Sequence, residues 1–126
     1  MTIDLRDRRI LIVEDEYLVA DDLALALRDA GATVVGPVGS VADALSLIRA
    51  TARIDGAVLD INLHGTMSYP VAELLLARAI PFLFATGYDA CTVDEAYRSI
   101  VHHEKPVMPA EIIESLFAIE QMTNRF

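Results

Sequence analysis

Five short apolar runs, nearly all followed by a stretch of helical periodicity, constrain this chain more than any other feature. Ile10-Leu11-Ile12-Val13 is an unbroken aliphatic run, the pattern of a strand covered on both faces. Behind it, Val19, Leu23, Ala26, Leu27 and Ala30 recur at the spacing of one helix face, and Gly31 stands where a left-handed residue closes a helix. Val34-Val35 opens a second, weaker strand that runs into Gly36-Pro37, and Ser40 is placed to cap a helix with inner face Val41, Ala44, Leu45 and Ile48. Ala57–Asp60 is a third strand, and a loop with His64 and Gly65 leads to a helix around Pro70–Arg78 that buries Val71, Leu74 and Leu75. Phe82-Leu83-Phe84-Ala85 is the fourth, ending at Thr86-Gly87. Thr92 and Glu95 have capping-box spacing before Val93, Ala96, Tyr97 and Ile100, a short helix. Ile100-Val101-His102 gives a brief fifth strand, ended by Lys105-Pro106. Pro109 then opens a last helix, with Ile112, Leu116 and Ile119 on one face and Ile113 and Phe117 beside them. Such alternation implies a parallel sheet with helices on both faces, because right-handed crossovers put them there.

No linker, repeat or low-complexity stretch interrupts the 126 residues, so 1–126 reads as one domain with no output domain attached. The net charge of −9 argues against direct nucleic-acid binding, which needs a basic face to replace phosphate counterions. The single cysteine, Cys91, cannot form an internal disulfide, and neither a signal peptide nor a membrane-length apolar run is visible. A cytoplasmic protein without membrane insertion is expected.

Chemistry collects where the strands end. Glu14 and Asp15 follow the first strand, Asp60 the third, Thr86 the fourth and Lys105 the fifth. In a parallel sheet these ends share one edge, the edge at which open α/β sheets bind ligands. Three carboxylates there repel one another unless a cation neutralises them, and a hard divalent ion with oxygen ligands is the economical answer. Metal, ammonium and hydroxyl together suit a phosphoryl group, whose transition state spreads charge over equatorial oxygens. Taken singly the residues have plainer readings: Asp60 as a loop cap, Glu14-Asp15 as a first-turn acidic pair, Lys105 as a solvated charge. Adjacent strand residues point to opposite faces, so His102 and His103 are not expected to share an ion.

With this ordered set in place, the chain resembles the receiver domain of two-component response regulators over essentially its whole length. The run Phe84-Ala85-Thr86-Gly87-Tyr88 further resembles a subgroup of receivers named for that motif. The resemblance implies a flavodoxin-like (βα)5 fold, doubly wound, with strand order 2-1-3-4-5 and a short fourth helix. It implies that Asp60 accepts a phosphoryl group from a sensor histidine kinase or a histidine phosphotransfer protein, with Thr86 and Lys105 on the phosphoryl oxygens. Glu14, Asp15, Asp60 and the backbone carbonyl of Asn62 would hold Mg²⁺, or Mn²⁺ in its place, and a cis peptide is expected between Lys105 and Pro106. Thr86, Gly87, Tyr88, His102 and Pro106 would form the switch and output region, acting on a downstream protein target. The protein would be a monomer or a weak phosphorylation-dependent dimer. It would be a switch and not an enzyme, catalysing only its own phosphorylation and slow dephosphorylation.

One position departs from the pattern: His102 stands where receivers commonly carry Tyr or Phe, three residues before the Lys. This raises an alternative, a pseudo-receiver that binds partners without phosphorylation. A phosphatase of the haloacid dehalogenase type is disfavoured, because Asn62 stands where that class needs a second Asp.

Overall fold

The structure, a computed structural model, describes residues 3–87 and 94–123. Its frame is a five-stranded parallel sheet in the order β2-β1-β3-β6-β7. The strands are β1 (Arg9–Val13), β2 (Thr33–Val38), β3 (Gly56–Asp60), β6 (Phe82–Thr86) and β7 (His102–Glu104). Two further short strands, β4 (Asn62–Leu63) and β5 (Thr66–Met67), pair only with each other. With that hairpin set aside, the order is the 2-1-3-4-5 of the flavodoxin-like fold.

Side-chain alternation along the strands divides the core in two. Ile10, Ile12, Val58, Leu83 and Ala85 pack with Leu23, Ala24 and Leu27 of α1 (Tyr17–Asp29) and with Ile112 and Leu116 of α4 (Pro109–Thr123). Leu11, Val13, Ala57, Leu59, Phe82 and Phe84 face the other way, onto α2 (Val41–Ala50) and α3 (Tyr69–Ala77). β3 and β6 are buried at every position, which is why they read as uninterrupted apolar runs. Each large aliphatic side chain so buried stabilises the fold by roughly 1.5–3 kcal/mol relative to exposure.

Helix ends follow local chemistry. Ser40 accepts a hydrogen bond from the Asp43 amide at 3.1 Å and caps α2. Past α1, the amides of Gly31 and Ala32 donate to the carbonyls of Arg28 and Leu27, a Schellman closure that uses the positive φ of Gly31 (98°). Gly36 has φ 91°, and a Cβ there would meet the Ile12 carbonyl at 3.1 Å, so this bulged stretch of β2 has no room for a side chain.

Three expectations need correction. The buried stripe of α1 is Ala20, Leu23, Ala24 and Leu27, while Val19 and Ala26 are only half-buried; the small alanines face the sheet. In α3 the buried set is Val71, Ala72 and Leu75, with Leu74 half-buried. The fifth strand is His102–Glu104 and not Ile100–His102: Phe84 pairs with His102 and Thr86 with Glu104, while Val101 precedes the strand and is exposed. The loop expected at His64-Gly65 is present as the two-residue turn between β4 and β5, with positive φ at both residues (51° and 86°) as a type I′ turn requires. In the fourth-helix region the described residues hold one 3₁₀ turn, Glu95–Tyr97, capped by the Asp94 carboxylate on the Ala96 amide. The capping residue expected there, Thr92, lies outside the described residues, as do Tyr88, Cys91 and Val93.

Candidate functional site

The carboxyl ends of β1, β3, β6 and β7 meet along one edge, and each delivers a polar group there. Glu14, Asp60 and Thr86 are buried although all three are polar. The Glu14 amide donates to the Val38 carbonyl at 2.9 Å, which fixes the backbone as β1 ends. The Lys105 amide donates to the Thr86 carbonyl at 2.8 Å, so β7 leaves the sheet beside β6. From there the Lys105 side chain reaches back across the edge. Its ammonium donates to Glu14 Oε1 and Asp60 Oδ2, each at 2.9 Å, and to Glu16 Oε1 at 3.2 Å. The peptide between Lys105 and Pro106 is cis, as expected.

Glu14, Asp15 and Asp60 each offer a carboxylate oxygen, and these oxygens lie within 4.8 Å of one another. Burial pushes Glu14 up to about 7, against the Lys105 bond and the Glu16 amide that favour its charge. Burial likewise raises Asp60, opposed by Lys105 and by the Asn62 amide, which donates to Asp60 Oδ1 at 3.2 Å. Burial works against the charge of Lys105 too, but its bonds with Glu14 and Asp60 outweigh this and its pKa is raised. The directions agree once the charges are counted: one ammonium faces three carboxylates and cannot neutralise them all. An all-oxygen donor set with surplus negative charge fits a hard divalent cation.

Asp15 is held differently. Burial raises its pKa, but the His64 amide, donating to Oδ2 at 2.8 Å, and the nearby His64 ring outweigh it, so Asp15 lies below the ordinary carboxylate range. The hairpin β4–β5 is thus tied to Asp15, and the Gly65 amide donates to Asn62 Oδ1 at 2.6 Å within it. A cleft of about 280 Å³ opens among Asp15, Glu16, Asp60, Asn62, His64 and Lys105, with exposed Gly87 at its rim.

The remaining expected residues lie further out. Pro106 is exposed beside the site. His102 is half-buried on β7, its ring 5.3 Å from that of Phe84, and its Nε2 is buried with no hydrogen-bond partner among the described residues. Three residues outside the expected set also take part, of which only His64 is expected from the sequence as a loop residue beside the site. Glu16 contacts Lys105, and its place in the triplet Glu14-Asp15-Glu16 was the available signal. His64 grips Asp15 largely through its backbone, which no residue type announces. Ser68, fully buried, donates its hydroxyl to the Asp60 carbonyl at 2.6 Å.

Comparison with known proteins gives the family and the fold. The chain is 43% identical to SdrG from Sphingomonas melonis Fr1, whose solution structure superposes with a TM-score of 0.75 over 87% of this chain and 96% of that one. A crystal structure of a response regulator receiver protein from Sinorhizobium medicae WSM419 matches with a TM-score of 0.79 at 26% identity, over 92% of this chain and 96% of that one. The chain belongs to the response regulator receiver family. Receivers are signalling switches, and this one has their fold. A curated relative, the transcriptional regulatory protein PdtaR of Mycobacterium tuberculosis, is 30% identical over 120 residues; the receiver matches 94% of its own length to only 58% of PdtaR. No family model matches the sequence. No helix among the receiver's described residues is long and apolar enough to cross a membrane.

Proposed function

We propose that this receiver takes a phosphoryl group onto Asp60 from a phosphohistidine of a sensor histidine kinase or histidine phosphotransfer protein, in the cytoplasm. The observation that carries the reading is the Lys105 ammonium, 2.9 Å from both Asp60 and Glu14 where three carboxylates converge. Glu14, Asp15, Asp60 and the Asn62 carbonyl would hold Mg²⁺ or Mn²⁺. Such a cation, when bound, neutralises the carboxylates and the charge on the incoming phosphoryl oxygens.

An Asp60 carboxylate oxygen attacks phosphorus, the P–N bond breaks, and its electron pair returns to the imidazole nitrogen. The Lys105 ammonium contacts a phosphoryl oxygen in place of part of its present bonding to Asp60, and the Thr86 hydroxyl donates to another. Water later cleaves the acyl phosphate, releasing inorganic phosphate and restoring the carboxylate. The charge gained at Asp60 reorders the region of Thr86, Gly87 and Tyr88 with His102 and Pro106, changing the surface offered to a protein target. The Phe84–Tyr88 motif supports placing the chain with the receivers named for it. The same chemistry would serve an effector, a relay or a sink.

A second structure of SdrG, from Pseudomonas melonis Fr1, is of its BeF3-activated conformation and matches this chain with a TM-score of 0.73 at 40% identity. Beryllofluoride mimics an acyl phosphate, so a relative that responds to it supports the reading. Intact-mass analysis after incubation with Mg²⁺ and a small phosphodonor should show one added phosphoryl group in the wild type and none in Asp60→Asn. Beryllofluoride should shift the amides around Asp60 and Thr86 in wild type alone. A wild type inert to both reagents would instead make the chain a pseudo-receiver.

A further inference from the structure

Ser68 occupies the N-cap position of α3 but does not cap it. A serine there ordinarily accepts a hydrogen bond from an amide in the first turn, which stabilises the helix. Here the residue has φ −86° and ψ 12°, outside the extended conformation such a cap uses, and its side chain makes no cap bond. The hydroxyl turns back and donates to the backbone carbonyl of Asp60 at 2.6 Å. The Ser68 amide donates to the next carbonyl along, that of Ile61, at 2.8 Å. One fully buried residue therefore holds two consecutive carbonyls at the end of β3, those of Asp60 and Ile61. Those two peptide planes fix where the Asp60 side chain leaves the backbone and where Asn62 begins. The Asn62 amide, 3.2 Å from Asp60 Oδ1, is set by the same two planes.

We propose that Ser68 is a positioning residue for phosphoryl transfer, holding the Asp60–Asn62 turn so that the Asp60 carboxylate is presented in its reactive orientation. The inference rests on Asp60 being the phosphoryl acceptor. Ser68 touches neither the phosphoryl group nor the carboxylate. It acts through the main chain, where a displacement well below the size of an atom is enough to slow a reaction that depends on in-line approach. The helix meanwhile starts without its side-chain cap, so the hydroxyl is committed to the acceptor strand and not to α3.

The test compares wild type, Ser68→Ala and Ser68→Thr for phosphorylation by a small phosphodonor, with donor and Mg²⁺ both saturating and well below each variant's melting temperature. Ser68→Ala is expected to react about tenfold more slowly, with the metal-free Asn62 amide resonance shifted; Ser68→Thr, which keeps the hydroxyl, should recover most of the rate. A purely structural role would lower the melting temperature of Ser68→Ala and leave its saturated rate unchanged. A Ser68→Ala rate within twofold of wild type overturns the proposal, as do equal losses in Ser68→Ala and Ser68→Thr. If Ser68→Ala does not fold, Ser68→Cys, a weak donor of similar volume, decides: slowed severalfold it supports the proposal, at the wild-type rate it overturns it. A wild type that takes no phosphoryl group at all is a different result, and it defeats the reading of Asp60 itself.

Discussion

The ammonium of Lys105 stands 2.9 Å from Asp60 Oδ2 and bridges that carboxylate to Glu14. Both carboxylates are nearly inaccessible, and the Lys105 side chain is only 13% exposed. Without it, two buried carboxylates face each other with no counter-charge. Breaking a buried pair by removing one partner costs about 3–5 kcal/mol, and proton uptake by the raised Glu14 relieves part of that. Lys105→Met should therefore lose about 3 kcal/mol of stability at pH 7 in the absence of divalent cations. Urea unfolding measures this directly, and a loss under about 1 kcal/mol would mean that the carboxylates do not depend on Lys105.

His102 supplies a pH dependence. Burial lowers its pKa, outweighing a bond to the Ile100 backbone, so the native ring is neutral where the unfolded ring begins to protonate. Between the folded pKa and the unfolded value of about 6.5, the unfolded chain binds more protons. The contribution of His102 is then fully present above the unfolded pKa and is lost as pH falls through that window. His102→Phe keeps a ring beside Phe84 and removes Nε2, which is buried with no partner among the described residues. At pH 7 the loss of the Ile100 bond offsets the removal of the buried Nε2, each being worth about 1 kcal/mol, and the variant should gain on the wild type as pH falls toward 5.5. Denaturant midpoints at the two pH values test both the sign and the trend.

Much of this fold was legible because its signals are local. β3 and β6 are buried throughout and could only be apolar runs, and Ser40 and Gly31 sit at helix ends for reasons carried by their own side chains or lack of one. The fifth strand was displaced because it is an edge strand: its polar residues His102, His103 and Glu104 take their place from the β6 register, while the more strand-like Ile100 and Val101 precede it. The stripe of α1 was misplaced for a related reason, since close approach to the sheet favours Ala20 and Ala24 over the larger Val19. In the site, groups acting through charge or hydroxyl stood out by residue type. Contacts made through the main chain, such as the His64 amide on Asp15 and the Ser68 hydroxyl on the Asp60 carbonyl, have no signature until the chain is folded.

The acidic cluster should respond to Mg²⁺. A cation that binds only the folded state adds about 2.7 kcal/mol of stability at a hundredfold excess over its dissociation constant. The melting temperature should thus rise by several degrees in millimolar Mg²⁺. Asp15, held ionised by the His64 amide, is the carboxylate that removal should affect without disturbing the Lys105 bridge. Asp15→Asn should keep a near wild-type melting temperature without metal and lose most of the rise. Equal rises in the two proteins would place the cation elsewhere.

Tyr69 and Tyr97 join the 3₁₀ turn Glu95–Tyr97 to α3. Their rings stack at 4.8 Å with 5° between planes, and Phe84 meets Tyr97 edge-on at 6.2 Å. The Asp94 amide donates to the Tyr69 hydroxyl at 3.0 Å, tying the 3₁₀ turn to the start of α3. Among the described residues, the stack packs the 3₁₀ turn Glu95–Tyr97 against the start of α3 and against β6. Stacked aromatic pairs contribute about 0.5–1.5 kcal/mol beyond the area they bury. A double-mutant cycle on Tyr69→Leu and Tyr97→Leu should return a favourable coupling of about 1 kcal/mol. Tyr69→Phe keeps the stack and removes the acceptor for Asp94, so it should cost less than Tyr69→Leu while speeding hydrogen exchange at the Asp94 amide. Additive losses in the cycle, with Asp94 exchange unchanged in Tyr69→Phe, would show that β6 and β7 hold the turn without help from the tyrosines.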